Sequence, residues 1–185
     1  MNFLLNRYNR TILKNPRRQA LPARARLPLY PMPPYPPPQD LPTRLVYLRR
    51  SRLFGRLAYL LLKLLGVEIP RAVPIGPGFE LVHGGVGVVI HSKARIGAGV
   101  KIYPGVTLGR ADIYRPADQS RFESIVIEDQ VILAPGAKVL CKAGVLTVGR
   151  GAVLGANAVL LESAGAGEMW AGAPARCIGR REGFE

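Results

Sequence analysis

Four side chains in this 185-residue sequence are suited to moving a proton or attacking carbon near neutral pH: His83 and His91, its two histidines, and Cys141 and Cys177, its two cysteines. Imidazole titrates close to neutrality and is the commonest proton acceptor in sites that do chemistry. The cysteines are too few for a disulfide framework and have neither CxxC nor Cys/His spacing for zinc. A reducing, cytoplasmic setting and no metal are therefore expected, with each cysteine a small buried or edge residue rather than a nucleophile. His83 opens the run His83-Gly84-Gly85-Val86-Gly87. His91 sits inside a regular segment and reads as a surface residue at a corner.

A repeat positions these residues. Aliphatic side chains return every six positions at Ile69, Ile75 and Leu81, then at Ile90, Ile96, Ile102 and Leu108, at Ile127, Leu133 and Val139, and at Val148, Leu154 and Leu160. Small residues fill the slots between, as in Ile96-Gly97-Ala98-Gly99-Val100-Lys101. Such a period matches neither a helix at 3.6 nor a lone strand at 2. It suits strands of two or three residues joined by tight Gly-rich corners, each side sending one aliphatic residue into a narrow core. Three gaps break the register: nine positions from Leu81 to Ile90, nine from Val139 to Val148 and nineteen from Leu108 to Ile127. Surplus residues must bulge outward because the core has no room, and such bulges are where binding loops lie. They contain His83, Lys142 and the polar stretch Arg110 to Ser124 respectively.

The charge is uneven. Residues 1 to 66 carry 13 Lys and Arg and one acid, Asp40, whereas residues 67 to 185 carry 13 basic and 11 acidic side chains. The basic balance thus belongs to an arm, and no nucleic-acid groove across the whole protein is expected. Eight of the fifteen residues from Pro28 to Pro42 are proline, which makes an extended spacer. From Arg44 to Leu65, leucines and Phe54 recur at three- and four-residue intervals. That spacing predicts one amphipathic helix, closed by Gly66. Arg7, Arg10 and Lys14 interrupt the first residues before any secretory length of apolar chain. The most apolar window, Leu57 to Val67, is about half a membrane span and contains Lys63. The expected division is an arm over 1–43, a helix over 44–66, a repeat domain over 67–179 and a tail over 180–185.

Gly66-Val67-Glu68-Ile69-Pro70, His83-Gly84-Gly85-Val86-Gly87-Val88-Val89-Ile90-His91, Ile102-Tyr103-Pro104-Gly105-Val106-Thr107-Leu108-Gly109, Gly155-Ala156-Asn157-Ala158-Val159-Leu160 and Gly172-Ala173-Pro174-Ala175-Arg176 resemble, in order and spacing, the serine O-acetyltransferase family of hexapeptide-repeat acyltransferases. The resemblance covers residues 44 to 179. It implies a mainly β fold, a left-handed parallel β-helix of triangular section, an exception to the right-handed crossover of parallel strands. It also implies a homotrimer of such prisms, with acetyl-CoA as co-substrate lying between neighbours. His83 stands where the family places a histidine that takes the proton of the acceptor hydroxyl as it attacks the thioester, a task suited to imidazole. Glu68 stands where a substrate-binding or histidine-orienting acid lies. Thr107, Gly136 and Ala156 are implied at the pantetheine arm, and Lys138 and Arg176, with Lys142 and Arg150, near the phosphates.

Departures qualify the acceptor. Val82 occupies the place of an aspartate that precedes the histidine in serine acetyltransferases, and Glu123-Ser124-Ile125 has no second histidine. The acceptor is therefore L-serine or a similar hydroxyl, with a sugar hydroxyl in a polysaccharide pathway as the alternative and a catalytically inert structural subunit as a third reading. The chain ends Gly183-Phe184-Glu185 without the family's C-terminal isoleucine, so docking to the sulfhydrylase of cysteine synthesis is not expected. The helix reads as packing across the end of the trimer. The basic arm reads as a solubilising tail or as contact with an anionic membrane surface.

Overall fold

A computed structural model of the chain describes Tyr35 and residues 38 to 184. The basic arm before that point, Tyr35 apart, lies outside the described residues, and with it the expected arm contact with a membrane.

Short strands stack into three faces of a left-handed parallel β-helix. One face holds β1 (Glu80–Leu81), β4 (Lys101–Ile102), β7 (Ile132–Leu133), β10 (Val153–Leu154) and β12 (Glu168–Gly172). The second holds β2 (Val89–Ile90), β5 (Thr107–Arg110), β8 (Lys138–Cys141) and β11 (Val159–Leu160), and the third β3 (Ala94–Ile96), β6 (Phe122–Ile127) and β9 (Gly144–Val148). The sixfold series explains the register. Its successive members fall on successive faces, so each face collects one inward column: Leu81, Ile102, Leu133, Leu154 and Trp170; Ile90, Leu108, Val139 and Leu160; Ile75, Ile96, Ile127, Val148 and Ala164. All of these are buried apart from the partly buried Ile75. Backbone groups bond from coil to coil, as in Val89 N–H to Val106 C=O at 3.0 Å and Lys138 N–H to Ala158 C=O at 2.8 Å, which leaves few peptide groups orphaned in so thin a core.

Left-handed residues build the corners. Between the first and second faces stack Gly66, Gly87, Gly105, Gly136 and Asn157, with φ of 74°, 76°, 73°, 72° and 55°. Each after Gly66 donates its N–H to the corner before, as Gly136 does to Pro104 C=O at 2.8 Å and Asn157 to Pro135 C=O at 2.9 Å. At the far end β13 (Ala175–Arg180) folds back antiparallel on β12 and ends the stack.

The single helix expected over 44–66 is two: α1 (Leu41–Leu48) and α2 (Gly55–Leu64). Asp40 caps α1, its carboxylate accepting the Thr43 N–H at 2.9 Å. The break follows from Arg49. Its guanidinium is fully buried and donates to the carbonyls of Val46, Val73 and, at 3.3 Å, Pro70, which draws the chain inward. The chain then doubles back so that Gly55 packs on Arg49, where an added Cβ would clash with the Arg49 carbonyl oxygen. α1 closes the open end of the β-helix. Tyr47 donates its hydroxyl to Gly76 C=O at 2.8 Å and accepts from Phe79 N–H at 3.0 Å, and Thr43 Oγ1 accepts from Leu81 N–H at 3.0 Å. These are first-coil backbone groups with no preceding coil to pair with.

Candidate active site

The bulge between Leu81 and Ile90 is a short 3₁₀ turn, Val82–Gly85, inserted at the corner of Gly87. His83 is held there at φ 52°, ψ 33°, and Gly84 and Gly85 follow at φ 76° and 66°. A non-glycine residue in the left-handed region costs about 1 to 2 kcal/mol, so the surrounding turn must enforce it. Gly85 shows how: a Cβ there would stand 2.6 Å from Leu81 Cδ2, so the bulge folds tightly over the core and aims the His83 side chain outward. The imidazole is exposed, with the Tyr103 ring from the next coil edge-on at a centroid distance of 6.0 Å. Tyr103 had no assigned role in the sequence reading. Its only signal was its place in Ile102-Tyr103-Pro104-Gly105, one residue beyond an inward aliphatic.

The register places most of the other candidates beside this turn. Glu68, Val89, Thr107, Lys138 and Val159 are paired successively across the second face, at the roughly 4.8 Å spacing of strands. Glu68 is exposed and its Oε1 lies 3.7 Å from Lys63 Nζ; the carboxylate thus faces α2 in this structure. The half-buried Lys138 amine donates to the Gly105 carbonyl and folds across the corner. Gly136 forms the corner itself, with Asn157 Oδ1 filling the space that a Cβ would need. Ala156 is exposed one coil on, beside Asn157. His83, Gly136 and Ala156 therefore share one corner, and Glu68, Thr107 and Lys138 the adjoining face.

Arg176 lies apart on β13, exposed, with Glu162 Oε1 3.9 Å from its NH1. Lys142 is exposed in the turn after β8. Arg150 sits on a different corner, in an open cleft of about 430 Å³ with Arg95, Gly97, Glu128 and Asp129, and its backbone N–H donates to Glu128 Oε2 at 2.8 Å. That cleft is remote from the bulge, so Arg150 does not join the other candidates.

His91 stands at the corner after β2. It is half-buried, its ring edge-on to Phe122 at 4.8 Å, and its Nδ1 accepts the Lys93 N–H at 3.1 Å. Burial, then the charges of Lys93 and Arg110, push its pKa below the usual histidine range. Cys141 is buried with its thiol pushed up, chiefly by burial, while Cys177 is exposed on β13. Asp112, one of the polar residues of the long loop, is only 2% exposed and pairs with Arg110 Nε at 3.5 Å.

No family model matches the chain. Over 113 residues it is 37% identical to a serine acetyltransferase of Bacillus licheniformis, a match that covers 61% of this chain and 48% of the relative. A structure of the Neisseria gonorrhoeae serine acetyltransferase in complex with serine superposes with a TM-score of 0.58 at 28% identity, over 73% of this chain and 54% of that one. A serine acetyltransferase in complex with CoA superposes with a TM-score of 0.59 at 28% identity, over 74% and 55%. All three matched proteins are serine acetyltransferases. The chain spans about half the length of the curated relative and of both superposed structures.

Proposed function

We propose that the chain is an acetyl-CoA-dependent O-acetyltransferase acting on L-serine or a similar hydroxyl acceptor. The observation that carries this reading is His83, held left-handed on an outward bulge at the head of a corner lined by Gly105, Gly136 and Ala156. The imidazole takes the acceptor's proton as the hydroxyl oxygen attacks the thioester carbonyl. The new C–O bond forms, the C–S bond breaks, and the departing sulfur receives the proton back as CoA thiol. Positioned help of this type supplies on the order of 10²- to 10⁴-fold.

Glu68 binds a cationic group of the acceptor or orients His83 after turning away from Lys63. Small residues at Gly136 and Ala156, with Thr107 on the adjoining strand, leave room for the pantetheine arm against exposed corner backbone. Lys138 and Arg176 meet its phosphates. The β1 and β12 strands lie four strand spacings apart, about 19 Å, so an extended donor with its thioester at His83 points along the corner toward the coil end that bears Arg176. A homotrimer, with the donor between two prisms, completes the site.

Thiol release from acetyl-CoA with L-serine tests the reading. His83→Ala is expected to lower turnover by about 10²-fold or more while the β-helix circular dichroism is unchanged. A variant as active as the parent removes His83 from the chemistry. Val82, standing where serine acetyltransferases have an aspartate, favours a second reading in which a sugar hydroxyl is the acceptor. A saccharide panel in the same assay separates the two.

A further inference from the structure

α2 is apolar on two sides. Its inward stripe is Gly55, Ala58 and Leu62, all buried against the core that includes Leu45 and Val46. A second stripe at helical spacing, Leu57, Leu60 and Leu64, faces solvent at 56%, 55% and 75% exposure, and Leu53 and Phe54 extend it at 85% and 57%. Burying one leucine is worth about 1.5 to 3 kcal/mol, so five large apolar side chains left in water on one short segment call for an occupant.

The charges beside the stripe identify that occupant. Arg44, Arg50, Arg52, Arg56 and Lys63 are all exposed, and the sequence has no acid between Asp40 and Glu68. Of these, Lys63 faces Glu68, whereas Arg52 and Arg56 meet no carboxylate among the described residues. A second copy docked face to face would set these cations against their own kind. An anionic headgroup layer offsets every one of them while its acyl boundary takes up the leucines. No described helix is long and apolar enough to cross a membrane. At ten residues, α2 is about 15 Å long, suited to lying in the interface plane. We infer that the outward face of α2, with Leu53 and Phe54, docks the protein on the surface of an anionic lipid bilayer, independently of the acetyl-transfer reading.

The test is flotation of the full chain with phosphatidylcholine vesicles, with and without about 30% phosphatidylglycerol. The parent is expected to float with the anionic vesicles and to be released as salt rises. The variant Leu57→Gln/Leu60→Gln/Leu64→Gln, which keeps every basic residue of the arm and helices, is expected to lose about tenfold or more of the bound fraction with its mass in solution unchanged. Failure of the parent to float overturns the inference, as does equal flotation by the variant, which would assign binding to the arm. A lower solution mass for the variant overturns it too, by making the stripe an interface between copies. If the triple variant proves unfolded by circular dichroism, Leu64→Trp decides: quenching of the new indole by bromine-labelled acyl chains supports bilayer docking, and an unquenched indole refutes it.

Discussion

Gly136 and Gly144 are both left-handed, at φ 72° and 63°, but they face different surroundings. A Cβ at Gly136 would run into Asn157 Oδ1 of the next coil, whereas one at Gly144 would meet nothing within 4 Å. Each Gly→Ala change incurs a similar backbone penalty, about 1 kcal/mol. Only Gly136→Ala adds a steric collision at the corner. Urea unfolding is therefore expected to show a loss of about 1 kcal/mol for Gly144→Ala and about 2 to 3 kcal/mol for Gly136→Ala. Equal losses would mean that the Asn157 amide swings aside freely. The same crowding bears on the proposed donor site, because a ligand reaching Gly136 meets the Asn157 amide beside the corner backbone.

Among elements, Arg49 matters most at the junction of α1 and α2. Burial, with a smaller contribution from Arg50, pushes its guanidinium pKa down to about 10, yet it stays charged at neutral pH and donates to three carbonyls. Arg49→Met relieves the buried charge but leaves Val46, Pro70 and Val73 without their donor, at about 1 to 3 kcal/mol per orphaned buried group. The carbonyls outweigh the relief, and a net loss of about 2 to 4 kcal/mol is expected in urea unfolding. Arg49→Lys is not expected to restore it, because an ammonium lacks the planar fork. A methionine variant as stable as the parent would show that packing alone ties the helices to the first coil. This junction was not legible in the sequence: Arg49 looked like one more surface cation on a continuous helical pattern, and its burial depends on carbonyls 21 and 24 residues away. By contrast, Ile90, Ile96, Ile102 and Leu108 marked short strands joined by tight corners, each side burying one aliphatic residue, and the family resemblance supplied their winding into a left-handed β-helix. The bulge bearing His83 was legible as a break in that period. Its left-handed backbone, the Tyr103 ring beside it and the turn of Glu68 toward Lys63 were not, since each arises from contacts between coils or with α2.

At the scale of the whole molecule, a stack of parallel strands has two exposed ends, and each is closed differently. α1 supplies side-chain hydroxyls at one end; at the other, β13 pairs antiparallel with β12, Trp170 opposite Cys177 and Gly172 opposite Ala175. Truncation before Ala175 would uncover the β12 edge beside Trp170, which is 8% exposed in the intact fold. Such an edge is a template for further strands, so light scattering is expected to show the truncated protein aggregating where the full chain stays dispersed; a dispersed truncation would mean that β12 is protected by other means.

In-register pairing along each face also turns the rod into a ruler. Because every coil repeats the one before at a pitch of about 4.8 Å, the reach from the His83 turn to the cations at the other end is quantised in whole coils. Gain or loss of a coil by duplication or deletion in the middle would change the length of the proposed donor that fits, while leaving the geometry of the His83 turn untouched.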